Sequence, residues 1–185
     1  MATTERIQDR ALSKLAPAAT SDERYLAIYM NDQLALGVLW REIARRSARA
    51  NHGTPAGEAI EGVAQGISKD VETFERMMSD LGIPKTHAKP MLALAGERFG
   101  RLKLNGHLRR YSPLSRFEEL DFLVMGIDGK VVLWENLRDL ANLGERLPDV
   151  DFDNLIQRAR AQRTALETHH ANAGRQALAG GGVGA

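Results

Sequence analysis

The sequence predicts an all-α protein built from four long helices. Three observations carry that expectation. Apolar residues step by three or four over long stretches, as in Ile60, Val63, Ile67, Val71, Phe74, Met78 and Leu81. That is the period of a helix face and not of a strand. Cap-and-proline signals open these stretches, and glycines close them. Short turns join the stretches in pairs, and about 30 residues separate the two pairs.

The first helix is announced by Thr20 to Glu23, a Thr-x-x-Glu capping box, and should run from about Asp22 to Ala50. Asn51-His52-Gly53 breaks it. Thr54 then caps a second helix with Pro55 at its first position, and Gly82 with Pro84 beyond stops it. Ser112-Pro113 repeats the cap-then-proline signal for a third helix, expected to reach about Leu143. The acidic turn Pro148 to Asp153 starts the last, expected from about Asp151 to Leu178, because early carboxylates suit a helix N-terminus. Residues 1–20 read as an N-terminal extension, with Ile7, Leu12 and Leu15 on one side of a short amphipathic segment. Residues 21–178 form the helical domain, and the Gly-rich stretch 179–185 reads as a flexible tail.

Composition sets the outer bounds. With 43% hydrophobic residues, 185 residues can bury the core of one domain. Cysteine is absent, which excludes disulfides, thiolate metal sites and cysteine nucleophiles. The charged start Met1 to Lys14 does not read as a secretory segment, and no apolar run reaches membrane-spanning length. A cytoplasmic protein with no transmembrane segment is the expectation.

Helix order and one short stretch carry a resemblance. Two hairpins of long helices joined by one long connection, with Tyr29-Met30-Asn31-Asp32 in the first helix, resemble the divergent ferritin-like proteins of bacteria, an uncharacterised type. The resemblance covers roughly residues 22–178. It implies an up-down four-helix bundle whose long crossover, residues 85–111, contains a short helix.

The resemblance also implies where a metal would sit. Such sites take a Glu from each of two helices and a Glu-x-x-His from each of the other two. Glu167 to His170 reads as one such Glu-x-x-His. On the first helix, Asp32 falls within the stripe Tyr25, Tyr29, Leu36, Leu39, Trp40 and Ile43. The second helix has a wholly apolar stripe, flanked by Asp70 and Glu75. On the third, Asp121, Asp128 and Glu135 repeat every seven residues. Folding each hairpin about its turn brings Asp32, Glu75 or Asp70, Asp128, Glu167 and His170 to one level. One of the two expected histidines is missing from that set. The layer therefore reads as a degenerate metal site, with iron or manganese binding as the alternative. The plainer account is that Asp32 and His170 hydrogen-bond neighbours or each other.

Charge marks a second region. Residues 85–116 hold eight Lys or Arg and one acid, Glu97, a net of +7; the remaining 17 basic and 23 acidic residues leave −6. Arg98, Arg101, Lys103, Arg109 and Arg110 are candidates for binding an anion, a nucleic acid or an anionic surface, with Tyr111 able to stack. The plainer account is exposed pairing with Glu118, Glu119 and Asp121.

No Gly-rich phosphate loop, nucleophile elbow or His-Glu-x-x-His is present. Gly126 and Gly129 suggest close helix approach instead. The expected function is that of a binding or interaction protein, not an enzyme, with a protein partner or a second copy as candidate partners. A ferritin-like metalloprotein for metal storage, oxidation or peroxide handling is the first alternative. Nucleic-acid or anion binding through the crossover is the second.

Overall fold

The computed structural model describes residues 21–86 and 112–179. Among the described residues the protein is all-helical and has no strand. Helix α1 spans Ser21–Ala50, α2 Pro55–Asp80, α3 Pro113–Glu135, α4 Leu143–Arg146 and α5 Phe152–Gly174. The ends of α3 and α5 continue as π-helical turns over Asn136–Leu140 and Arg175–Ala179.

The helix starts form as the sequence signals demand. Thr54 accepts from the Gly57 backbone N–H at 3.0 Å, and Ser112 from that of Ser115 at 3.0 Å. Asp151 accepts from the Asn154 N–H at 2.9 Å. Each bond satisfies a donor that the first helical turn leaves open. Gly82, at φ +66°, ends α2 in the left-handed region that glycine adopts without strain. The third helix stops short of the expected Leu143. Its π-helical turn ends at Leu140, and Asn142 at φ +51° turns the chain before α4 begins.

Contacts between the helices fix their directions. Asp70 and Phe74 of α2 meet Lys130 and Trp134 of α3, so α2 and α3 run parallel. Arg46 of α1 pairs with Glu119 at 2.5 Å, while Trp40 lies on Gly126, so α1 and α3 are antiparallel. Arg158 and Gln162 of α5 meet Asp70 and Gly66, making α2 and α5 antiparallel. The heptad acids of α3 form a seam with α5: Asp121 with His170 at 3.0 Å, Asp128 with Arg163 at 3.5 Å and Glu135 with Arg160 at 3.0 Å. These pairs are solvent-facing and contribute little individually. Their order makes α3 and α5 antiparallel.

With α2 and α3 parallel, the end of one and the start of the other lie at opposite ends of the molecule. Residues 87–111 join them. They lie outside the described residues, as do residues 1–20 and 180–185, so the short helix expected in the crossover, the expected N-terminal extension and most of the expected glycine tail fall there. One continuous core ties the long helices together, centred on Met30, Ile60, Met77, Leu123, Ile127 and Leu166. No helix among the described residues is long and apolar enough to cross a membrane.

The inner face of α1 differs from the expected stripe. Ala27, Met30, Leu34, Ala44 and Ala48 face the core, whereas Tyr25 is 69% exposed. Asp32 is exposed as well. It stands two residues from both Met30 and Leu34, about 200° around the helix from each, which points it outward.

Candidate functional site

The polar layer expected at one level, read as a degenerate metal site, does not come together. Asp32, Asp128 and Glu167 are exposed. Glu75 is half-buried and meets Lys85 Nζ at 3.4 Å. His170 is half-buried, with Nε2 3.0 Å from Asp121 Oδ1 and its ring stacked on Phe117 at a centroid distance of 5.3 Å. Asp128 meets Arg163, which leaves Glu167 out of the seam. Among the described residues, no group of three His, Asp or Glu side chains is placed to share a metal ion. Arg98, Arg101, Lys103, Arg109 and Arg110 lie outside the described residues.

A different polar cluster occupies the centre. Asp70, expected on the flank of α2, is only 4% exposed. Lys130 Nζ donates to its Oδ2 at 2.5 Å, and Arg158 donates to Oδ1 through Nε at 3.0 Å and also through Nη2. Lys130 donates in addition to Gln162 Oε1. Four residues on three helices thus satisfy one another. Burial holds the Lys130 ammonium below its ordinary value; the nearby Asp70 charge opposes that shift and Arg158 adds to it.

Three of its four members, Asp70, Lys130 and Gln162, are visible in the sequence as interruptions in an apolar stripe. Asp70 stands three residues after Ile67 and four before Phe74; Lys130 stands likewise between Ile127 and Trp134. Gln162 sits between Ala159 and Leu166 in the same way. A polar residue at the expected step of a buried face signals a partner across the core. Gly66 makes room for the pairing, because a Cβ there would overlap the Gln162 amide.

Beside the cluster lies a cavity of about 440 Å³ between α1, α2 and α3. Its walls are mostly apolar, with Leu34, Val71, Phe74, Ile127 and Leu133 among them. Asp70 and Lys130 are its charged lining residues, and both tryptophans of the chain, Trp40 and Trp134, line it. Leu36, Met125 and Val132 line it too and are 38%, 57% and 53% exposed, so the cavity opens at the surface between α1 and α3. The tyrosine and tryptophan expected in the core, Tyr29 and Trp40, are partly buried cavity walls.

Glycines shape the opening. At Gly126 a Cβ would overlap the Trp40 indole, which lies directly on the α3 backbone. Gly129 differs from the expectation of close approach: nothing lies within 4 Å of its Cβ position. It borders the cavity instead.

The arrangement is that of a small-molecule site: concave, mostly apolar, with a few convergent polar groups, and of a volume that suits such a ligand. Comparison with family models, with curated proteins and with solved structures finds no match for this chain.

Proposed function

We propose that the protein is a ligand-binding bundle of ferritin-like topology in which an ion-pair cluster stands where a metal centre would be. One observation carries the reading: a cavity of about 440 Å³, walled mostly by apolar side chains, whose lining includes a buried carboxylate–ammonium pair. The helix directions support the topology, since parallel α2 and α3 between two antiparallel hairpins are what one long crossover would produce. The cluster supports the loss of metal chemistry. Asp70 is already neutralised by two cations, Lys130 and Arg158, and this excess of positive charge disfavours a divalent cation.

Both tryptophans line the cavity, so their fluorescence reports its occupancy. Titration with a twelve-carbon alcohol should change the emission saturably. Gly37→Leu should abolish that change. Gly37 lines the cavity, and a Cβ there meets only Val71 Cγ2 at 3.4 Å, so the larger side chain fills open space. It also replaces a helical glycine with a better helix former, so the fold should persist. Unchanged ligand response in a folded Gly37→Leu variant would place binding elsewhere and sink this reading.

A further inference from the structure

Helix α1 carries a second apolar stripe. Tyr25, Tyr29, Leu36 and Trp40 recur with Gln33 at steps of three or four, apart from the side that buries Met30 and Leu34. Leu36, Met125 and Val132 are exposed at the cavity mouth, and exposed Tyr25 extends the apolar line toward the start of α1. Gly129 lines the cavity between Met125 and Val132, and among the described residues nothing lies within 4 Å of its Cβ position. A glycine inside a helix costs stability and serves best where another backbone comes close. No described residue takes that place.

Two segments outside the described residues can supply the cover, and their points of attachment separate them. Residues 87–111 leave from the wrong side of α1. Asn31 Oδ1 accepts from the Thr86 backbone N–H and from its hydroxyl, both at 2.7 Å, and the Asn31 amide donates to the Pro84 carbonyl at 3.1 Å. Asn31 stands two residues from both Tyr29 and Gln33, about 200° around the helix from each, so that connection starts away from the groove.

Residues 1–20 instead enter α1 at Ser21, beside Tyr25. Their pattern suits an apolar surface. At 100° per residue, Ile7, Ala11, Leu12 and Leu15 fall within an arc of about 140°, and Glu5, Arg6, Asp9, Arg10 and Lys14 all fall outside it. Pro17 interrupts a helix, and residues 16–20 are of ordinary length for a turn between helices. Fifteen helical residues span about 22 Å, the same length that α1 covers between Ser21 and Leu36. Attachment, reach and apolar pattern agree.

We propose that residues 4–15 lie along this groove antiparallel to α1, with Ile7, Leu12 and Leu15 against Tyr25, Tyr29 and the mouth of the cavity. Arg6 and Arg10 stay in water on the opposite face. The proposal does not rest on the ligand-binding reading, because the groove is covered whether the cavity beneath it is filled or empty.

The chain has no cysteine, so introduced thiols report alone. Folding the segment back about residue 18 sets Thr4 level with Asp32 and Gln33. Thr4→Cys with Gln33→Cys, in the whole chain, should form a disulfide within one molecule under mild oxidation, since a disulfide needs its two Cα atoms within about 7 Å. Thr4→Cys with Glu72→Cys should not, because Glu72 is exposed on α2 and is no cavity wall. Separately, Val132→Cys at the mouth should react slowly with dithionitrobenzoate. Ile7→Asp should speed that reaction roughly tenfold or more, because an unpaired carboxylate is costly against an apolar surface. Arg10→Asp, on the polar face, should leave the rate unchanged. A disulfide joining two chains would put a second copy in the groove and overturn the proposal. So would a Thr4→Cys thiol that fails to prefer Gln33→Cys over Glu72→Cys, or a Val132→Cys rate indifferent to Ile7→Asp. None of these outcomes touches the cavity reading, which the Gly37→Leu variant tests.

Discussion

Asp70 is the residue on which the centre of the molecule turns. Its carboxylate is buried, and its partners come from α3 and α5, so it links three helices through one side chain. Removing one partner of such a group is costly, because the remaining charges stay buried and uncompensated. Asp70→Ala should therefore lower the unfolding free energy by about 3–5 kcal/mol, measured by urea denaturation followed by circular dichroism. Replacing Asp70, Lys130 and Arg158 together with apolar residues of similar size should recover much of that loss, because no charge is then stranded. The pH dependence follows from Lys130, whose ammonium burial holds below the ordinary 10.5. Between that lowered value and 10.5 the unfolded chain binds more protons than the folded one, so this residue makes stability rise with pH across the window. Below it, folding carries the full desolvation cost of the charge. Urea midpoints of the wild type relative to Lys130→Met should accordingly increase as the pH is raised toward 10.5. A difference that falls instead would show Lys130 to be better solvated than its burial implies.

Among the elements, α3 depends most on a single small residue. Gly126 lets the Trp40 indole lie on the helix backbone, and Trp40 also meets Phe122 edge-on at a centroid distance of 6.5 Å. Gly126→Ala gains helix propensity but must push the indole aside. Overpacking costs typically 1–3 kcal/mol, so a net loss of about 0–2 kcal/mol is expected once the propensity gain of about 1 kcal/mol is set against it. Because Trp40 lines the cavity, its emission should shift in the same variant even without ligand. The starts of α2, α3 and α5 were legible in the sequence for a local reason. Thr54, Ser112 and Asp151 cap with their own side chains, and Pro55 and Pro113 fit only a first turn. The rotational phase of α1 was not. Its core face mixes Met30, Leu34 and Ile43 with Ala27, Ala44 and Ala48, whose side chains are too small to stand out, while Tyr29, Leu36 and Trp40 mark the cavity side. Apolar residues on two adjacent sides of one helix blur the period, and the larger ones drew Asp32 into a face that it does not share. The end of α3 was hidden for a similar reason, since Leu140 and Leu143 continue the apolar pattern through a turn that Asn142 makes.

At the scale of the whole molecule, the centre joins residues 70, 130, 158 and 162, and the sequence could supply the polar interruptions but not their meeting. That meeting requires the phase of three helices at once, together with the parallel course of α2 and α3. The same geometry decides what the molecule can hold. A dication needs several carboxylates or imidazoles converging on one point, whereas here Asp70 is taken by two cations and His170 lies in the α3–α5 seam against Asp121. Exposed Asp32, Asp128 and Glu167 share no ligand sphere with either. Protein purified without chelators should thus carry iron and manganese far below one ion per chain by elemental analysis. Added manganese should leave the thermal midpoint unchanged, because a ligand stabilises the folded state only as far as its concentration exceeds its dissociation constant. Stoichiometric metal that disappears in His170→Ala would reverse the conclusion. It would make His170 and Asp121, 3.0 Å apart, the first ligands to examine, and would require a carboxylate such as Glu167 to turn inward on binding.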